Sequence, residues 1–181
     1  MRRILLIMVL CFLAVASTGC KKARLRAQLK ELMGSTIVLP EKITCVHNGE
    51  VFPMPDSLRD KPKLIVYIDS TECTTCRISH FWEYQSLFDI SSRIGSFSVM
   101  ILMWDTEFES IPLTHYLSDQ SLAYPVFVDE DRRFLKDNSK IPNDPRMHSM
   151  FVDNSGKVRF VGDPSATPQT LELFDRVVGR K

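Results

Sequence analysis

A β-type run, Leu64-Ile65-Val66-Tyr67-Ile68, leads into Asp69-Ser70-Thr71-Glu72-Cys73-Thr74-Thr75-Cys76-Arg77, and an apolar-periodic run begins at Ile78. The order strand, Cys-x-x-Cys, helix places Cys73 at a helix N-terminus and Cys76 one turn inside. Unpaired backbone N–H groups and the helix dipole favour negative charge there, so Cys73 is expected to be the acidic, attacking sulfur. Cys76 is then close enough to resolve a mixed disulfide, the second step of dithiol–disulfide exchange. Half a zinc site and two packed thiols are the plainer readings of the same pair, and the strand-to-helix setting favours the redox pair over both. Exchange of this kind requires no bound cofactor.

The first 20 residues, MRRILLIMVLCFLAVASTGC, put two arginines ahead of an apolar run from Ile4 to Val15. Ala16, Ser17, Thr18 and Gly19 then lead into Cys20. This reads as a secretory signal, because the apolar part is short for a membrane span. Its ending resembles a bacterial lipobox, with Ser17 where a larger aliphatic residue is commoner, and implies a lipidated Cys20 as the first mature residue. The expected product is a membrane-anchored lipoprotein whose domain faces the bacterial periplasm. Simple cleavage nearby is the alternative. With residues 1–19 gone, 21 basic side chains stand against 22 acidic ones, so no basic excess points to nucleic acid. Outside the cytoplasm disulfides persist, and a Cys-x-x-Cys there needs an electron source or sink. Of the five cysteines, Cys11 leaves with the signal and Cys45 is left over, read as a buried strand cysteine.

Residues 21–35 read as a basic tether helix or linker, with Leu25, Leu29, Leu32 and Met33 on one stripe and Gly34 as a stop. It can lie along anionic headgroups, dock on the domain or act as a spacer. Residues 36–181 form the domain. Strand-like Thr36–Leu39 precedes Ile43–His47, which Asn48-Gly49 turns into Glu50-Val51-Phe52 as a two-residue hairpin. Cys45 and His47 share one face of that strand, and with Cys73 and Cys76 would offer four soft zinc ligands. A helical turn is expected at Ser57-Leu58. The strand at 64–68 reads as buried on both faces, hence central. A helix should then run through about Ile90 with Ile78, Phe81, Trp82, Tyr84, Leu87 and Phe88 inward. Phe97–Trp104 is a second long strand. Ser110 is expected to cap a helix with Pro112 in its first turn and Leu113, Tyr116 and Leu117 inward. Val126–Val128 is a short strand, and Asp129-Glu130-Asp131-Arg132-Arg133 reads as a solvated helix start. The strand around Ser149–Val152 turns through Asp153–Gly156 into Lys157–Val161. Thr167 caps a last helix, with Pro168 first and Leu171, Leu173, Phe174 and Val177 inward.

Several of these pieces together resemble the TlpA/ResA-type thioredoxin-like proteins tethered outside bacterial membranes. They are the Asn48-Gly49 hairpin, Ser57-Leu58 with Lys61-Pro62, the CTTC motif, Tyr124-Pro125-Val126 with Asp129, and Phe151-Val152-Asp153 with Gly156-Lys157. The resemblance spans roughly residues 36–178. It implies an α/β thioredoxin-like fold, a central mixed β-sheet flanked by helices, with an N-terminal β-hairpin extension. It further implies thiol–disulfide exchange through Cys73 and Cys76 on client proteins with thiols or disulfides. A reducing direction and a membrane thiol donor come from the same resemblance.

The chain departs from that pattern at three places. The family's cis-proline loop position falls on Met147, with Pro145 two residues earlier, so a trans loop or a register change is expected. Glu72 stands in place of the aromatic before the first cysteine, and Tyr67 in place of a buried acid or amide. Glu72 and Asp69 oppose a thiolate at Cys73, whereas the helix end and Arg77 favour it. Thr74 and Thr75 can donate hydroxyl hydrogen bonds to the Cys73 sulfur. Three rival readings accompany the first. Cys73 and Cys76 with Met147 or His148 would suit Cu(I), as in copper-binding chaperones of this fold. Ser70-x-x-Cys73 echoes a peroxidase pattern, with Val66 where a proline is expected. A non-catalytic binding lipoprotein with an inert disulfide is the last.

Overall fold

A computed structural model of the chain describes residues 22–69, 78–108, 111–120 and 122–179. A helix over 22–32 (α1) is followed by β1 (Ile43–His47) and β2 (Glu50–Pro53), then a 3₁₀ turn at Asp56–Leu58 and β3 (Lys63–Ile68). A 3₁₀ turn at Phe81–Tyr84 leads into α2 (Gln85–Ile94), β4 (Ser98–Trp104), β5 (Glu107–Phe108), β6 (Ile111–Pro112) and α3 (Leu113–Ser118). Then come β7 (Val126–Asp129), α4 (Phe134–Asp137), a 3₁₀ turn at Pro145–Met147, β8 (Ser149–Val152), β9 (Val158–Val161) and α5 (Pro168–Val177).

Seven strands form one mixed sheet in the order β2-β1-β7-β4-β3-β8-β9. β3, β4 and β7 are parallel, whereas β1 runs antiparallel to β7, and β8 to β3. All six residues of β3 are buried, as a strand covered on both faces requires. Leu64, Val66 and Ile68 face α2, α3 and α5, while Ile65 and Tyr67 face α1, α4 and the turn at Met147. Phe174 of α5 anchors the first face, ringed edge-on by Phe97, Phe151 and Phe160 with centroids 5.3–5.7 Å apart. On the second face Leu32 of α1 is fully buried, and the Gly34 N–H donates to the Val158 carbonyl at 2.9 Å.

The N-terminal hairpin forms as its sequence predicts. Asn48 and Gly49 both adopt positive φ, 52° and 79°, which a two-residue turn between twisted strands demands. Other expectations need correction. Thr36–Leu39 is not a strand: Thr36 makes one bridge to Lys157, and the Val38 backbone pairs with the Asn138 side-chain amide. The helix expected from Ile78 is interrupted, because His80 leaves helical geometry (φ −111°, ψ 19°) and the following turn is 3₁₀. That change of pitch turns Trp82 out to solvent, 68% exposed. Pro112 precedes α3 rather than entering its first turn, since it pairs with Glu107 in a small β5–β6 ribbon; Ser110 lies outside the described residues. Thr167 caps α5 as expected, in a capping box with Thr170, but Leu173 and Val177 are exposed because the buried stripe narrows onto Phe174.

Candidate functional site

The parallel strands end together on one side of the sheet. Ile68 lies beside Met103, and Trp104 beside Asp129, so the Asp69 position, Trp104 and Asp129 share the carboxyl-terminal rim. Open α/β sheets gather their functional groups at such a rim. The segment 70–77 departs from here. Cys73, Cys76, Glu72, Thr74, Thr75 and Arg77 all lie within it, outside the described residues, as do Cys20 at the N-terminus and Ser70.

What the structure brings together beneath that departure is a buried polar cluster. Asp69 directly follows β3 with 3% of its surface exposed, and His148, just before β8, lies beside Tyr67 with 1% exposed. The Tyr67 N–H donates to the His148 carbonyl at 2.9 Å, which ties the two strands at this height. The His148 Nε2 is 3.0 Å from the Pro142 carbonyl oxygen. Its Nδ1 lies 3.9 Å from Asp69 Oδ2, too far for a hydrogen bond, and has no such partner among the described residues. The Tyr67 hydroxyl is likewise buried without one. Burial, with Asp129 and Asp69 nearby, pushes the Tyr67 phenol well above its ordinary range. Phe134 covers the Tyr67 ring at 4.7 Å.

Asp129 was expected in a solvated charged cluster, and the structure corrects this. It closes β7 fully buried, and its carboxylate accepts the backbone N–H groups of Arg133 (3.1 Å) and Phe134 (2.7 Å). Those are the orphan donors at the start of α4, so the carboxylate acts as a cap across a short loop. Asp69 and Asp129 are each the first acid after an apolar strand, but so are Asp105 and Asp153, which are not buried, so that pattern alone does not single them out.

Met147 is buried at the end of the 3₁₀ turn that enters β8, among the residues packed with Tyr67. Every described peptide bond, those around Pro145 and Met147 included, is trans. Asp144 caps this turn and pairs with Arg146 at 2.7 Å, and the guanidinium holds its carboxyl below the usual range. Cys45 is a buried free thiol on β1, as expected of a strand cysteine, and burial pushes it up to about 11. His47 is half-buried at the end of the same strand. Among the described residues no three His, Cys, Asp or Glu side chains gather to hold a metal, and no helix is long and apolar enough to cross a membrane.

Two hollows adjoin these elements. One of about 270 Å³ is lined by Ile78, Phe81, Trp82, Leu122, Tyr124 and Val126, beginning where the described chain resumes after Arg77. The other, about 250 Å³, lies between the end of β3 and the 3₁₀ turn and is lined by Tyr67, Ile68, Tyr84, Pro145, Arg146 and Asp163.

No family model and no curated protein sequence matches the chain. Solved structures do. A thiol:disulfide interchange protein DsbE from Chlorobium tepidum, so described, aligns with a TM-score of 0.52 at 15% identity, over 81% of this chain and 98% of that one. Enterococcus faecalis AhpC aligns with a TM-score of 0.51 at 12% identity, over 82% and 91%. At such identities the likeness is one of architecture: the chain has the thioredoxin-like α/β fold, a seven-stranded mixed sheet flanked by helices.

Proposed function

We propose that this protein is a thiol–disulfide oxidoreductase that works through Cys73 and Cys76 on client proteins outside the cytoplasm. The observation that carries the reading is the position of the Cys-x-x-Cys segment. It leaves the carboxyl end of the fully buried central strand β3, and the chain is again helical at 78–79. In this reading a helix N-terminus falls at Cys73, where it would lower the energy of a thiolate. A solved structure of the same fold is described as an interchange protein, which supports the same chemistry.

In this reading the Cys73 thiolate attacks a client disulfide and one client sulfur leaves with an electron pair. Cys76 then attacks Cys73 and the second client sulfur leaves. The client gains two electrons, and the Cys73–Cys76 disulfide formed is re-reduced by a membrane thiol donor. Lipid on Cys20 holds the domain at the periplasmic face of a membrane, where that donor operates. In this reading Thr74, Thr75 and Arg77 support the thiolate, Glu72 opposes it, and the loop of Met147 stands opposite the pair.

Trapping tests this. In Cys76→Ser the second step is lost, so mixed disulfides through Cys73 should accumulate in cells and identify client and donor. Absence of adducts, under conditions where a control oxidoreductase is trapped, would end the proposal.

A further inference from the structure

Helix α1 carries two stripes. Leu25 and Leu32, seven residues apart in the sequence, turn into the domain. Lys22, Arg26 and Lys30 recur every four residues along another flank, with Leu29 and Met33 at the same helical angles between them. The Met33 N–H donates to the Leu29 carbonyl at 2.9 Å, so Met33 continues the turn. We propose that this outer flank of α1 is a docking surface for an anionic lipid bilayer, an inference that rests on the N-terminal anchoring proposed above.

Two features of the flank select that occupant. The first is charge left unpaired by the domain. Lys22, Arg24, Arg26 and Lys30 are all exposed, and none pairs with an acid among the described residues. Elsewhere Arg133, Arg146, Arg159 and Arg176 each hold a carboxylate at 2.5–2.7 Å. Residues 21–32 carry five basic side chains and one acidic one, against 16 and 21 over residues 33–181. The helix is thus the cationic side of an otherwise acidic chain, and a negative surface attracts that side while repelling the rest.

The second feature is the apolar pair. Leu29 and Met33 are 39% and 41% exposed in the midst of those cations. Single exposed apolar residues are ordinary on protein surfaces. Two at i and i+4, bracketed by lysine and arginine, are the pattern of an interfacial helix, whose apolar side chains enter the headgroup boundary while its cations meet the phosphates.

The membrane also arrives from the right direction. Cys20, the lipid-bearing position in the reading above, is two residues ahead of Lys22, so an anchor there brings the first turn of α1 to the headgroups. That turn shares a hollow of about 600 Å³ with Asn143, Asp144 and Arg146, whereas the Gly34 end bonds to Val158, level with the first residue of β3. The helix therefore runs along the sheet from its carboxyl-terminal rim to the opposite end. A bilayer bound along α1 lies beside the domain and leaves that rim uncovered.

The full chain in lipid nanodiscs, held by its own N-terminal segment, tests this, with a gadolinium-chelating lipid to broaden methyl resonances near the bilayer. In discs with about one-third phosphatidylglycerol, Leu29 and Met33 should broaden several-fold more than Leu173 and Val177, the exposed methyls of α5 on the other face of the sheet. The contrast should vanish in phosphatidylcholine discs and at about 1 M salt, where the screening length is about 3 Å. Each cation near an anionic surface strengthens binding about fivefold, so Arg26→Glu with Lys30→Glu should also abolish the contrast while the chain stays in the disc. Equal broadening on both faces, a contrast that persists in phosphatidylcholine through apolar insertion only, or one untouched by the double variant would each overturn the inference. The lipid and salt series need no variant, so they decide the matter even where a substitution impairs folding. A chain that does not co-purify with the discs would sink the anchoring itself, and Cys76→Ser trapping reads the exchange chemistry independently of both.

Discussion

Cys45 is a thiol in a place that silences it. It lies on β1 between β2 and β7, buried, and desolvation lifts it to about 11. In the native protein Cys45 should resist iodoacetamide at pH 8 and become labelled only on unfolding, which mass spectrometry after timed quenching would show. Labelling of Cys45 as fast as an exposed thiol would contradict its placement. Single buried acids were the least legible residues in the sequence. Asp129 sits in a run of charges that pattern alone assigns to solvent, yet loop geometry carries its carboxylate back onto the orphan amides of α4. His148 gave no sign of burial either, because the β3 residues that cover it, Tyr67 and Asp69, are distant in sequence.

At the scale of elements, strands and turns announced themselves and interrupted helices did not. β3, β4 and both hairpins carry their pattern in consecutive residues, whereas the break at His80 and the β5–β6 ribbon depend on what surrounds them. The β8–β9 turn yields a pH prediction. Ser155 N–H and Oγ, Lys157 N–H and Arg159 Nε converge on the Asp153 carboxylate at 2.6–3.0 Å. The Ser155 hydroxyl first, then Arg159, holds this carboxyl far below its ordinary range. A carboxyl depressed in the fold contributes stability that is complete above its unfolded value, about 3.9, and is lost as pH falls toward the folded one. Asp153→Asn should therefore cost about 1–2 kcal/mol at neutral pH and flatten the decline in urea midpoint below about pH 4. In α5, Phe174→Ala empties the space ringed by three phenylalanines and should cost about 3–5 kcal/mol in denaturant unfolding.

For the whole molecule, the thioredoxin-like architecture and the N-terminal hairpin were readable in advance, since strand order follows from motifs spread along the full chain. The state of α1 was not, because its stripe suited a leash, a headgroup-binding helix or a docked one. The structure seats it: Leu32 is fully buried, Leu25 packs on the same face, and residues 34–37 bond to the turn and start of β9. Leu32→Ala should lower stability by about 2–5 kcal/mol, and amides of 29–35 should exchange only as slowly as that docking allows. If lipid is carried on Cys20, a single residue stands between the anchor and a helix already committed to the domain. At roughly 3.6 Å per extended residue such a protein has almost no range of its own. It would hug the bilayer and survey a shell only ångströms deep, so its redox partners would have to arrive there, as membrane proteins or as chains just emerging from one.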